Sequence, residues 1–209
     1  EAYVSTLASD FTDGLALQAI KMVFEYLPRA VANGKNDPEA REKMHNAATL
    51  AGMAFANAFL GMNHSLAHKI GAEFHVPHGR ANAILLPYVI RYNGTKPEKP
   101  GVWPKYNYYK ADEKYAELAR LIGLKFNTVE EGVVAYAKAC ADLGADCGIK
   151  MSFKEQGLDA KAWDAAKEKI AYLAYEDQCS PANPRVPMVN DMIDILRASY
   201  EGDTSYYTK

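Results

Sequence analysis

Four closely spaced histidines are the residues whose type and spacing most clearly suggest chemistry. They are His64, His68, His75 and His78, four of the five histidines among 209 residues. Uniform scatter would place about 0.4 histidine in a window of fifteen residues. His64 and His68 are four positions apart, so on an α-helix both imidazoles project from one face. Two such imidazoles form half of a site for Zn²⁺, Fe²⁺ or a similar cation.

The position of His78 favours a metal over two unrelated histidines. It follows Val76-Pro77, a pair that favours extended backbone, and Gly79 adds no bulk beside it. We therefore predict that the chain brings His78 back beside the other two rings. A lone His-x-x-x-His pair is more often exposed or hydrogen-bonded than metal-bound. Clustered imidazoles, however, repel one another when charged and need partners when neutral, and a metal meets both requirements.

Several catalytic motifs are missing from the sequence. Ser65 stands where the His-Glu-x-x-His motif of zinc proteases has its glutamate, and the chain has no P-loop, Gly-x-Gly-x-x-Gly run or nucleophile elbow. The residues therefore favour a metal that acts as a Lewis acid over metal-water proteolysis, and they carry no nucleotide-binding fingerprint.

The histidines must be positioned by helices, because helical spacing recurs along the chain and no period-two strand pattern is found. Asp37-Pro38-Glu39 is a strong helix start. The helix that it opens is apolar on all sides from Ala47 to Leu60, which predicts complete burial. The first helix is predicted to begin at Asp13 and to kink or end near Tyr26, because Pro28 follows. The other predicted helices span residues 63–70 (with Gly71 a possible stop), 79–91, 111–122, 129–143, 160–175 and 187–200.

Composition excludes several classes of protein. The net charge of −2, with 49% hydrophobic and 24% charged residues, is that of a soluble globular chain without a nucleic-acid-binding face or a membrane span. Three cysteines without metal-site spacing fit a reducing cytoplasm. The proline- and aromatic-rich segment 94–110 is long for a connector. It is expected either to cover a neighbouring domain or subunit or to pack on the surface.

Three segments of the sequence resemble the iron-containing (group III) alcohol dehydrogenases. They are Phe-Leu-Gly-Met-Asn-His-Ser-Leu-Ala-His-Lys-Ile-Gly at residues 59–71, Pro-His-Gly at 77–79 and Ala-Asn-Ala-Ile-Leu-Leu-Pro at 81–87. Asp-Gln-Cys-Ser-Pro-Ala-Asn-Pro-Arg at 177–185 and the tyrosine-rich loop resemble one branch, the alcohol dehydrogenase part of the bifunctional aldehyde–alcohol dehydrogenases. The resemblance covers essentially the whole chain.

The resemblance implies a fold, a reaction and roles for three histidines. It implies an all-α, helical-bundle, metal-binding domain of the dehydroquinate synthase-like type over residues 1–209. His64 and His78 match the metal ligands, Fe²⁺ being expected and Zn²⁺ an alternative. His68 matches the histidine beside the NAD nicotinamide and the substrate, with a catalytic proton-relay role. The implied reaction interconverts a short-chain aldehyde (acetaldehyde) and its alcohol (ethanol), whereas His75 matches no functional position.

The sequence departs from this family in one respect. The family completes its metal site with an Asp-x-x-x-His pair just before a segment like Glu1-Ala2-Tyr3-Val4-Ser5, and its nucleotide-binding domain lies further upstream; neither is in this chain. We therefore expect a C-terminal piece that binds metal weakly, lacks turnover alone and forms homo-oligomers or filaments in the full-length protein. Two alternatives are a non-catalytic helical interaction module and a metal-dependent hydrolase. The hydrolase is disfavoured because no glutamate base lies beside the histidines.

Overall fold

The computed structural model describes residues 1–97 and 109–209, and within these ranges it is helical without any strand. This confirms the predicted all-α class. The proline- and aromatic-rich segment 94–110 lies mostly outside the described residues. The helices are α1 (Asp10–Asn33), α2 (Pro38–Ala58), α3 (Met62–Phe74), α4 (His78–Asn93), α5 (Ala111–Leu121), α6 (Val129–Asp146), α7 (Ala160–Tyr175), α8 (Val189–Glu201) and α9 (Ser205–Thr208), with a 3₁₀ turn at Ser180–Ala182.

Three helices begin where their capping residues predict. The side chains of Asp37, Thr128 and Asp159 each accept a hydrogen bond from the backbone N–H three residues on, at 3.0, 3.1 and 2.9 Å. Such caps satisfy N–H groups that have no partner inside the helix. Thr128 and Glu131 form no reciprocal capping box at α6, because the Glu131 carboxylate accepts from the Asn127 N–H at 2.7 Å rather than from Thr128.

The first helix begins before its predicted start and does not end near Tyr26. Helix α1 begins at Asp10, where Ser9 and Thr12 form a reciprocal capping box, and it continues through Pro28 to Asn33. Packing along α2 holds the helix together past the proline. Arg29 closes this helical hairpin, since its guanidinium lies 3.0 Å from Asp37 and 2.7 Å from Glu39.

The prediction that α2 is buried on all sides is also wrong. Its buried residues are the alanines Ala40, Ala47, Ala54 and Ala58, which let α1 approach closely. Met53 is 52% exposed. The apolar sequence of α2 therefore has one face in the core and one at the surface. Phe55 and Phe59 are likewise exposed, at 40% and 38%.

The centre of the molecule is formed by α3 and α4. These helices pack against each other, while α3 also contacts α7 and α4 contacts α6 and α8. Their fully buried residues include Leu66, Ile70, Ile84, Leu85 and Val89. The histidines are thus carried by two helices that pack into the core. Among the described helices, none combines the length and the hydropathy that crossing a bilayer requires.

Candidate metal centre

Helices α3 and α4 bring three of the four clustered histidines together. The ring centroids of His64 and His78 are 5.2 Å apart, those of His68 and His78 5.5 Å, and those of His64 and His68 6.0 Å. The rings of His68 and His78 are nearly parallel, with an interplanar angle of 15°. The return of His78 to the shared face of α3 is therefore as predicted.

The turn between α3 and α4 explains this return. Helix α3 runs through Gly71 to Phe74, and His75 ends it with φ 56° in the left-handed region. Pro77 then holds φ −54° and ψ 132°, and α4 begins at His78. His75 is exposed and lies outside the cluster, as expected from its lack of a match.

A carboxylate contacts the Nδ1 atom of His64 and another contacts that of His68. Glu1 Oε2 pairs with His64 Nδ1, and Asp177 Oδ2 lies 3.3 Å from His68 Nδ1. Burial acts to raise the pKa of Asp177, but hydrogen bonds from Lys69, the Cys179 N–H and His68 lower it to about 2. Asp177 is therefore an anion at neutral pH.

His78 has a different environment. Partial loss of solvent lowers the pKa of His78, and the neighbouring imidazoles of His64 and His68 lower it further. The side-chain amide of Asn82 lies 3.1 Å from His78 Nε2, and Asn82 Oδ1 in turn accepts from Asn63 at 2.8 Å. An amide NH₂ group can only donate, so His78 Nε2 accepts in this contact and carries no proton.

Two residues remote in sequence cap the histidine helix. Gly61, at the N-cap of α3, has no side chain to offer. Asn183 Oδ1 accepts from the Met62 N–H at 3.0 Å, and Glu1 Oε1 accepts from the Asn63 N–H at 2.7 Å. A Cβ on Gly61 would lie 2.6 Å from Asn183 Oδ1, so this approach requires glycine.

An apolar cavity of about 250 Å³ lies beside the histidines, between the N-terminal segment, α1 and α2. Its walls include Tyr3, Ile20, Phe55 and Leu60, and His64 forms part of its polar edge. This arrangement places one imidazole of the cluster next to an apolar space.

Sequence reasoning missed Glu1, Asp177 and Asn183 as parts of this centre. They lie 63, 109 and 121 positions from the residues that they contact in α3. No spacing rule connects residues so far apart. The available signal was that Asp177 and Asn183, and Glu1 at the other end, belong to segments that are similar to the family.

Comparison with known proteins decides the family of the chain. Residues 1–200 match the model of the Fe-containing alcohol dehydrogenase family, C-terminal. The chain belongs to this family. It is 65% identical over 202 residues to the aldehyde-alcohol dehydrogenase of Streptococcus pneumoniae serotype 4, covering 97% of the chain and 23% of that protein. It is 62% identical over 200 residues to aldehyde-alcohol dehydrogenase 2 of Entamoeba histolytica, covering 96% of the chain and 23% of that protein.

Solved structures of this family share the fold. The alcohol dehydrogenase from Oenococcus oeni superposes with a TM-score of 0.83 at 35% identity, covering 96% of this chain and 48% of that one. This chain therefore spans about a quarter of the two aldehyde-alcohol dehydrogenases and about half of the alcohol dehydrogenase from Oenococcus oeni. The match confirms the helical C-terminal domain type that the resemblance implied.

Proposed function

We propose that this chain is the metal-binding, substrate-facing part of an NAD-dependent, iron-containing alcohol dehydrogenase that interconverts acetaldehyde and ethanol. The observation that carries the proposal is the convergence of three imidazoles beside an apolar cavity in a member of this family. The names of the relatives, aldehyde-alcohol dehydrogenases, support the substrate class.

His64 and His78 are the proposed metal ligands. Their donor atoms suit Fe²⁺ and, as the alternative, Zn²⁺, because imidazole binds both. The fit is supported by the Glu1 carboxylate on His64 Nδ1, the kind of outer contact that orients a ligating imidazole. His78 can ligate through Nε2 after the Asn82 amide leaves that atom, because a neutral ring that accepts from the amide at Nε2 carries its proton on Nδ1. Two imidazoles are an incomplete set, so we expect weak binding by this chain alone.

Other residues of this chain have proposed roles in proton transfer and in binding the substrate. When bound, the metal supplies a Lewis acid for the carbonyl oxygen, and the nicotinamide cofactor supplies hydride. His68, whose ring stacks on His78, contacts the cofactor and moves the proton to or from the alcohol oxygen. The alkyl group of the substrate lies in the apolar cavity, where Phe55 and Leu60 exclude water.

The proposed partner is the rest of the polypeptide. Because the chain spans 23% of its aldehyde-alcohol dehydrogenase relatives, we place the nucleotide-binding domain and the other metal ligands in the upstream part of a longer protein. We also propose homo-oligomers or filaments for that longer protein and a cytoplasmic location.

Metal titration of this chain tests the ligand assignment. We expect anaerobic Fe²⁺ and Zn²⁺ to bind weakly in calorimetry, and we expect His64→Ala and His78→Ala each to abolish that binding. His75→Ala is the matched control, because His75 is exposed and outside the cluster. Binding that is indifferent to His64 and His78 would overturn the assignment and favour a non-catalytic helical module, in which these histidines only stabilise the fold.

Addition of the upstream part tests the reaction. The longer protein should reduce acetaldehyde with NADH, and His64→Ala should abolish this activity while the helical circular dichroism signal is retained. A longer protein that binds metal through His64 but oxidises no NADH with any short aldehyde would contradict the proposed reaction.

A further inference from the structure

Asp177 holds a carboxylate that is almost enclosed beside the histidine cluster. Its side chain is 6% exposed and receives donors on both oxygens. Oδ2 lies 2.8 Å from Lys69 Nζ and 3.3 Å from His68 Nδ1. Oδ1 accepts from the Cys179 N–H at 3.0 Å and from Ser65 Oγ at 3.5 Å. A buried anion with this many partners has its position fixed by the fold.

These donors disfavour a second metal site beside His68. His68, Asp177 and Cys179 offer a nitrogen, an oxygen and a sulfur atom within 4.8 Å of one another, which is a donor set that zinc accepts. The ammonium of Lys69, however, already supplies the positive charge at Asp177 Oδ2. The cluster is therefore a satisfied hydrogen-bond network around His68.

We propose that Asp177 is a positioning residue that fixes the tautomer of His68. An ionised carboxylate can only accept hydrogen bonds, so His68 Nδ1 must carry the proton that points at Asp177. Neutral His68 then has an unprotonated Nε2 on the opposite edge of its ring. Lys69 balances the charge of Asp177, so the carboxylate orients the imidazole without requiring an imidazolium.

The positioning of His68 by Asp177 adds detail to the proposed dehydrogenase function, and its purpose depends on that function. A histidine that relays a proton to or from an alcohol oxygen must present one defined nitrogen to that oxygen. If Asp177 selects the Nδ1–H form, Nε2 is the relay atom. The tautomer itself, however, can be measured without metal, cofactor or substrate.

The substitution Asp177→Asn, made together with Lys69→Met, should invert the tautomer. The second change is needed because the Lys69 ammonium, 2.8 Å from Oδ2, would otherwise compete for the amide oxygen. With Lys69 replaced, the Cys179 N–H keeps the oxygen of the asparagine, and the NH₂ group faces His68. An amide N–H facing Nδ1 requires that Nδ1 accept, which favours the Nε2–H form. Asp177→Ala removes the acceptor without adding a donor, and His68 should relax toward the Nε2–H form that free histidine prefers.

The test is a long-range ¹H–¹⁵N correlation spectrum of the metal-free, ¹⁵N-histidine-labelled chain at a pH where the imidazoles are neutral. The His68 signals are assigned by their loss in His68→Gln. We expect mainly Nδ1–H in the wild type and mainly Nε2–H in Asp177→Ala and in the double variant Asp177→Asn/Lys69→Met. Lys69→Met should keep the Nδ1–H form, because the carboxylate remains.

A matched control separates this role from a general loss of structure. Asp191 likewise accepts hydrogen bonds from a hydroxyl group and a backbone N–H. The donors are the Tyr92 hydroxyl at 3.0 Å and the Met188 N–H at 2.8 Å. Asp191→Asn should leave the His68 tautomer unchanged. A wild-type chain with His68 mainly in the Nε2–H form would overturn the proposal, even if the Asp177 variants failed to fold. Failure of metal binding or of NADH oxidation would instead count against the proposed function alone.

Discussion

At the scale of single residues, two imidazoles of the cluster each have a carboxylate in contact with one ring nitrogen. Glu1 contacts Nδ1 of His64, and Asp177 contacts Nδ1 of His68. In both rings this leaves Nε2 as the nitrogen available to other groups. The third ring, His78, has an amide rather than a carboxylate as its partner. His78 therefore differs chemically from His64 and His68, although the spacing of the three histidines in the sequence gives no sign of this difference.

The depressed pKa of Asp177 makes a prediction about acid stability. Its pKa falls from 3.8 in an exposed aspartate to about 2 in the fold. The carboxylate therefore stabilises the fold above about pH 4, and this contribution is lost as the pH falls toward 2. Urea unfolding from pH 6 to pH 2 should show a loss of unfolding free energy about 2 kcal/mol larger in the wild type than in Asp177→Asn. Equal losses in the two proteins would show that Asp177 has an ordinary pKa.

At the scale of secondary-structure elements, local sequence and tertiary packing share control. The starts of α2, α6 and α7 were predictable because Asp37, Thr128 and Asp159 cap their own helices. The one-sided burial of α2 was not, because it depends on α1 covering the alanine face. The histidine cluster was predictable in part. The spacing of the histidines predicted that their rings meet, but no local pattern indicated that Glu1 and Asp177 contact them.

Helix α1 carries an element-scale prediction, because Pro28 is exposed inside it. Proline leaves the carbonyl four residues earlier without its N–H partner and crowds that carbonyl. Pro28→Ala should therefore raise the unfolding free energy by about 1–2 kcal/mol, part of the gain being offset by a more flexible unfolded chain. Chemical denaturation measures this change.

Pro38 provides the control for this prediction. It lies at the first position of α2, where a backbone N–H would have no acceptor within the helix. Pro38→Ala should not stabilise the protein. If both substitutions stabilised it equally, the effect at Pro28 would not come from its place inside the helix.

At the scale of the whole molecule, the site depends on contacts between distant parts of the chain. Asn183 is 3% exposed, and besides the Met62 N–H it bonds to the buried side chain of Asn93 at 2.7 Å and to the Arg185 carbonyl at 2.6 Å. It therefore ties the start of α3, the end of α4 and the segment after the 3₁₀ turn together.

Removal of the Asn183 side chain should destabilise the whole domain. Asn183→Ala leaves several buried polar groups without partners, so we expect the unfolding free energy to fall by about 2–4 kcal/mol. Asn57→Ala is the control, because exposed Asn57 bonds only to a carbonyl of its own helix. That change should stay within about 0.5 kcal/mol in the same urea titration. Similar losses in both variants would deny Asn183 a special role.

The remote capping of α3 also has a consequence for the order of events during synthesis. His64 leaves the ribosome well before Asn183, which follows 119 positions later. At roughly 5–20 residues per second, that interval is about 6 to 24 s. Throughout it, α3 lacks the acceptor for its first amide, so the nascent chain carries its histidines on a helix that only Glu1 can cap. Any cation that requires the finished geometry has to be captured after translation has passed Asn183.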